Sequence, residues 1–187
     1  MQSPTEFDLL AYSLDDACGE CFDKVARLLK LAYPGGQLIE THALEGDKTR
    51  FEMPKMLLHK PDFLSYSGLK THMRYLYEDK QLQTKQDLKD LCASFQEEAL
   101  GQLIRKISVA LKKAEKPYKS LLLAGGVAAN KRLRALVAEN INLDFFFPEL
   151  KYCGDNAAMV AAYGFYLYKK ETAKEKFNSS QTWDAYA

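Results

Sequence analysis

Long apolar runs are missing from this chain: the longest spans only a handful of residues, far short of the roughly 20 that cross a bilayer as a helix. Charge of one sign is not in excess either. The 26 Lys and Arg against 25 Asp and Glu leave a formal net charge of +1, so no general field draws in nucleic acid and any RNA contact has to be local. Cysteines are few. Four occur (Cys18, Cys21, Cys92, Cys153) without the spacing of a secreted framework, which points to reduced thiols rather than disulfide stapling. The opening MQSPTEFD has neither the basic nor the apolar region of an export signal, so a soluble, cytoplasmic protein is expected, with no membrane contact. Also missing are a His-Glu-x-x-His pair and a Gly-x-Ser-x-Gly elbow, which argues against a metallopeptidase and a serine hydrolase. Internal repeats and low-complexity blocks are likewise absent. What is present is 47% apolar residues in a chain of 187, enough for a real core in one domain or one large lobe.

Periodicity divides the chain. Residues 6–13 alternate loosely and suggest a strand, after which Asp15 and Asp16 offer a helix N-cap. Over residues 17–31 the apolar set Phe22, Val25, Ala26, Leu28 and Leu29 recurs at helical spacing until Pro34-Gly35-Gly36 breaks it. A short helix over 37–44 follows, and then irregular structure over 46–62 with room for one short strand. The run Asp62-Phe63-Leu64-Ser65-Tyr66-Ser67 reads as a strand turning into a helix at Ser67. The clearest amphipathic stripe covers 87–114, with a candidate break at Gly101. Residues 120–124 are wholly apolar and precede Gly125-Gly126, the pattern of a buried strand ending in a tight turn. A helix over 128–139, a second buried strand over 143–147 closed by Pro148, and a last helix over 155–168 complete the reading. Strands alternating with helices imply an α/β architecture. The polar stretch 171–187 has lost its periodicity and reads as a tail.

Four constellations bear on chemistry. The Gly125-Gly126 turn with Val127-Ala128-Ala129-Asn130 places free N–H groups and an amide side chain at a helix start, where a polar ligand could rest; any α/β unit also needs a small-residue turn there. Asp16, Glu20, Asp23 and Lys24 stand three or four apart on one helix face. Their acids suit the hydroxyls of a ribose, or they form an ordinary solvated ladder. Asp155 in Cys153-Gly154-Asp155-Asn156 is placed either to cap the last helix or to bind a metal. Lys131, Arg132 and Arg134, with Lys112, Lys113, Lys116 and Lys119, form either a local phosphate patch or solvated helix faces. Cys18-x-x-Cys21 has zinc or redox spacing, but Cys92, Cys153 and the three histidines supply no second pair, so packing residues are expected.

Taken in order, DDACGECFDK, YPGG, FLSYSGLKT, LLLAGGVAAN and CGDNAAMVAA resemble the successive motifs of the tRNA N6-adenosine threonylcarbamoyltransferase family, formerly called the O-sialoglycoprotein endopeptidase or glycoprotease family. The likeness runs over about residues 10–169. Cys18 and Cys21 stand where the motif usually has alanine.

The resemblance implies one lobe of an actin-like, Hsp70-like two-lobed fold (the ASKHA class). On that reading residues 1–170 form the C-terminal lobe, with the first residues ending a preceding lobe, and 171–187 form a tail. It implies transfer of a threonylcarbamoyl group from threonylcarbamoyl-AMP to N6 of adenosine 37 in tRNA. Asp23, Gly36, Glu40 and Asn130 then match positions that hold the adenylate. Asp155 matches one ligand of a divalent metal, iron or zinc, whose histidine ligands this chain lacks at the required spacing. Implied partners are tRNA and the subunits of the modification complex, including a paralogous ASKHA subunit and an ATPase. The lobe alone is expected to be inactive and to self-associate. The alternative is a non-catalytic scaffold of the same superfamily.

Overall fold

The computed structural model describes residues 5–78 and 84–171. They fall into two units, residues 10–154 and residues 5–9 with 155–171.

In the larger unit, β1 (Tyr12–Ser13) forms at the end of the strand expected over 6–13, of which residues 7–11 are irregular. It leads into α1 (Cys18–Leu28), which buries Cys21, Phe22, Val25 and Ala26 on one face. Neither Asp15 nor Asp16 caps this helix; Ala17 holds the N-cap position. The helix ends before Pro34. Lys30 adopts φ 59, its N–H bonds the Arg27 carbonyl, and the Leu31 N–H bonds that of Ala26, the paired closure that stops a helix with one left-handed residue.

Gly35 and Gly36 therefore do not break α1; they open α2 (Gly35–Ala43), two residues earlier than its spacing predicts. A Cβ on Gly35 would stand 2.5 Å from the Ala26 Cβ and 3.0 Å from the Asp23 Cα, so only glycine lets α2 start this close to α1. Turns occupy 46–62, as expected. β2 (Phe63–Leu64) pairs with β1 in parallel, Tyr12 opposite Phe63 and Ser13 opposite Leu64. α3 (Ser67–Glu78) starts at the predicted serine.

α4 (Lys85–Lys113) is the axis of the unit and runs unbroken through Gly101. Thr84 caps it, its hydroxyl accepting from the Asp87 N–H at 3.1 Å. α4 packs against α2, α5 and α3, and Leu91, Phe95, Ala99 and Leu100 are completely buried. Phe95 meets Phe22 edge-on, with ring centroids 5.0 Å apart, a geometry worth about 1 kcal/mol beyond burial alone.

The polar side of α4 is buried too, because loops fold over it. Asp90 accepts from the Asp47 N–H at 2.8 Å, and Ser94 accepts from that of Phe51 at 3.2 Å. Gln102 pairs with both backbone groups of Ser65 at 2.8 and 3.0 Å. Lys106 donates to the carbonyls of Leu57 and Lys60, each at 2.7 Å. These clamps satisfy irregular backbone, of which Phe51 and Ser65 are buried from water.

β3 (Ser120–Leu122) pairs in parallel with β4 (Asp144–Phe146). Between them lie a 3₁₀ turn, Gly126–Ala129, and α5 (Lys131–Asn140), so the helix expected from residue 128 begins three residues later. The two strands were expected to be buried. Instead Leu122 is 63% and Phe146 59% exposed, because a sheet of two strands packs on one side only.

In the smaller unit, α6 (Ala157–Glu171) starts after Asn156, whose Oδ1 accepts from the Met159 N–H at 2.9 Å. Asn156, not Asp155, makes that first-turn bond. Lys170 pairs with Glu6 at 3.0 Å. The tail 171–187 lies outside the described residues apart from the helical Glu171. The α/β class holds: helices with two small parallel sheets.

Candidate functional site

A cleft of about 700 Å³ opens in the larger unit. The first turns of α1 form one wall, the start of α2 another, and the Gly125–Asn130 turn a third, with Leu103 and Ile107 of α4 behind. Most of the lining is apolar, from Phe22, Leu122, Val127 and Leu133 among others. Its acidic members are Glu20, Asp23 and Glu40, and among the described residues no Lys or Arg lines it.

All four residues expected to hold a ligand in this unit, Asp23, Gly36, Glu40 and Asn130, line this one cleft. Each also has a bond within the chain. The Asp23 carboxylate accepts from the N–H groups of Gly35 and Gly36 at 3.0 and 3.3 Å, anchoring the start of α2 where free amides favour an anion. Glu40 accepts from the Lys131 N–H at 2.7 Å and does the same for α5. Asn130 is the N-cap of α5: its Oδ1 accepts from the Leu133 N–H at 3.0 Å, and its Nδ2 donates to Gln96 Oε1 at 2.8 Å.

Gly125 has φ 85, a left-handed conformation that glycine adopts without cost. It lets the chain leave β3 and enter the 3₁₀ turn, whose first bond runs from the Ala128 N–H to the Gly125 carbonyl. The amides of Gly126 and Val127 precede that bond and have no acceptor within the turn.

Beside the cleft, Asp15 and Asp16 serve structure. Asp15 accepts from the Tyr66 and Ser67 N–H groups at 2.7 and 3.3 Å and from the hydroxyls of Ser65 and Ser67 at 2.6 and 2.8 Å. It thus caps α3 from a distant part of the sequence. Asp16 bonds Lys24 and Lys70, and these bonds, led by that of Lys24, hold its carboxyl below the usual range. Glu20 is lowered too, first by its bond to Lys24 and then by the Ala17 N–H. Of the acidic face read from the sequence, Asp16 and Glu20 are thus tied to lysine, while Asp23 joins the cleft.

Cys18 and Cys21 behave as packing residues. Burial pushes their thiols up to about 11 and about 12, which keeps them protonated and unreactive in exchange, and no group of three or more metal-ligating side chains gathers among the described residues. The Tyr66 hydroxyl, buried beside Cys18, lacks a hydrogen-bond partner of good geometry among the described residues. Two of the three basic residues after Asn130, Arg132 and Arg134, are likewise occupied. Arg132 pairs with Glu97 and Glu139, each at 2.7 Å. Arg134 donates to the carbonyls of Ala128 and Pro148 and lies 4.7 Å over the Phe147 ring.

Asp155 belongs to the smaller unit, exposed and two residues ahead of α6. Among the described residues no group of three or more His, Cys, Asp and Glu side chains gathers that could hold an ion. The donors present do not make a metal site, since one exposed carboxylate binds a divalent cation weakly.

A model of the tRNA N6-adenosine threonylcarbamoyltransferase family matches residues 1–162. The chain belongs to this family. Relatives bearing the family's name include that of Francisella tularensis subsp. novicida, 42% identical over 168 residues, 87% of this chain and 49% of the relative. That of Dichelobacter nodosus is 39% identical over 184 residues, 96% and 53% of the two chains. That of the Wolbachia of Brugia malayi is 40% identical over 174 residues, 91% and 52%. The chain thus spans about half the length of these relatives.

In this family member, sequence reasoning missed two supporting residues. Gln96 gave no signal because its neighbours on the helix, Glu97 and Glu98, are charged and suggest a solvated stretch. Asp15 looked like a cap for α1 because that helix is the nearer in sequence. No helix among the described residues is long and apolar enough to cross a membrane.

Proposed function

We propose that the chain supplies the adenylate-holding lobe of a threonylcarbamoyltransferase of ASKHA architecture. The full reaction would break the mixed anhydride of threonylcarbamoyl-AMP, release AMP, and join the carbamoyl carbon to N6 of adenosine 37 in tRNA with loss of the N6 proton. The observation that carries this reading is the convergence of Asp23, Gly36, Glu40 and Asn130 on a single cleft.

The cleft's chemistry favours one end of an adenylate. The carboxylates of Asp23 and Glu40, with no Lys or Arg among the described lining residues, suit the donating hydroxyls of a ribose better than a phosphate. Apolar walls suit a purine. We assign Asp155 as one donor to a divalent metal, iron or zinc, whose other ligands lie outside the described residues. An isolated lobe of this kind cannot close over the adenylate or exclude water, so transfer by the chain alone is not expected. tRNA and the other subunits of a modification complex are its proposed partners, and the cytoplasm its proposed location.

One observation favours a second reading, a non-catalytic scaffold. Asp23, Glu40 and Asn130 each already bond their own chain, which a purely structural turn would also require. Calorimetric titration with AMP separates the two. A transferase lobe binds AMP weakly, loses it about tenfold or more in Asp23→Ala and Asn130→Ala, and binds adenosine nearly as well as AMP because no described residue of the lining is a Lys or Arg. Binding of neither adenosine nor AMP leaves a scaffold or a lobe whose decisive contacts come from the other lobe of the fold, and adding that lobe in trans separates these: AMP binding restored only in the mixture marks a transferase lobe.

A further inference from the structure

Gln96 lies on α4, outside the cleft lining, and is only 6% exposed. Its Oε1 accepts a hydrogen bond from Asn130 Nδ2 at 2.8 Å. Asn130, itself 8% exposed, spends its Oδ1 on the Leu133 N–H at the start of α5. An asparagine amide has one oxygen and two N–H donors. With the oxygen held by α5 and one N–H held by Gln96, a single N–H remains, and Asn130 lines the cleft.

We infer that Gln96 is a positioning residue for the cleft: it fixes the plane of the Asn130 amide so that the remaining N–H is presented to the bound ligand in one direction. This rests on the nucleotide reading of the cleft given above. The cap bond to Leu133 settles which edge of the amide is oxygen, but one bond leaves the group able to swing about its Cβ–Cγ axis. The second bond, reaching from another helix, removes that freedom before any ligand arrives. Without it, binding has to freeze the amide, and affinity falls.

The test uses the full chain with two variants. Gln96→Met removes the acceptor at similar volume, while Gln96→Glu keeps an oxygen in either protonation state. One readout is the pair of Asn130 side-chain amide resonances in the ligand-free protein; the other is calorimetric titration with AMP. Gln96→Met is expected to shift those resonances and speed their exchange, and to weaken AMP binding about three- to tenfold. Gln96→Glu is expected to restore both. The double variant Gln96→Met with Asn130→Ala should bind no worse than Asn130→Ala alone, since Gln96 acts through Asn130.

Undisturbed Asn130 resonances in Gln96→Met overturn the inference. So does wild-type AMP affinity in Gln96→Met when Asn130→Ala has lost binding. If Asn130→Ala binds AMP as the wild type does, the nucleotide reading of Asn130 fails first and this inference falls with it. The ligand-free resonances then still report whether Gln96 holds the side chain.

Discussion

At Asp15, partial loss of solvent around the carboxyl pushes it up, but the hydrogen bonds of Ser65, Tyr66 and Ser67 outweigh this and bring it down to about 2. The folded value lies below the ordinary 3.8, so the stabilisation is present in full above that pH and is lost as pH falls through about 2. Asp15 is exposed, and solvent screening holds its contribution to about 1 kcal/mol, the usual worth of a helix cap. Urea unfolding of the wild type and Asp15→Ala should therefore differ by about this amount at pH 7 and converge between pH 4 and pH 2. A gap that persists unchanged at pH 2 would show that the carboxylate's charge is not what holds α3.

Two glycines separate packing from propensity at the scale of the element. Gly101 lies in the middle of α4, and a Cβ there would come no nearer than 3.4 Å, to the end of the Arg105 side chain. Gly101→Ala is predicted to stabilise by about 0.5–1 kcal/mol, through reduced freedom of the unfolded chain. Gly35 begins α2, where a Cβ would fall within 2.5 Å of Ala26. Gly35→Ala is predicted to destabilise by about 1–3 kcal/mol, as overpacking does, and to weaken AMP binding, because Asp23 bonds the Gly35 and Gly36 amides. Denaturation midpoints of the two variants should move in opposite directions. A stabilised Gly35→Ala would mean that α1 and α2 part readily, and the cleft wall would then not be rigid.

For the whole molecule the decisive feature is apolar surface left uncovered in each unit. In the larger unit Leu122, Phe146 and Leu150 are exposed; in the smaller unit Val160, Phe165 and Tyr168 are. Leu122 and Phe146 are also paired neighbours, and exposed apolar surface of this kind drives association, so the chain alone should self-associate as its concentration rises. Because the attraction is apolar, added salt should not reverse it, unlike an ionic contact. Light scattering across a dilution series and at two salt concentrations measures this. A monomer at every concentration would show that these side chains find cover within the chain in solution.

The family motifs and the α/β alternation were legible in the amino-acid order, because short-range periodicity and glycine-rich turns act locally; Asp23, Gly36, Glu40 and Asn130 came from the resemblance of those motifs to the family's, and the structure adds that they line one cleft. Ser67 as a helix start and the long α4 stripe were legible for the same reason. Helix ends were less so: Lys30, not Pro34, stops α1, since a left-handed closure depends on which carbonyls remain free. Only the tertiary structure decided what the polar residues of α4 do. Asp90, Ser94, Gln96, Gln102 and Lys106 look like a solvated face until loops from distant sequence fold over them and need hydrogen-bond partners. It alone decided that Asp15 serves α3 rather than α1, and that β3 and β4 stay partly open. Periodicity records which side chains share a face, but what covers that face is a long-range matter set by packing and by the need to satisfy buried backbone.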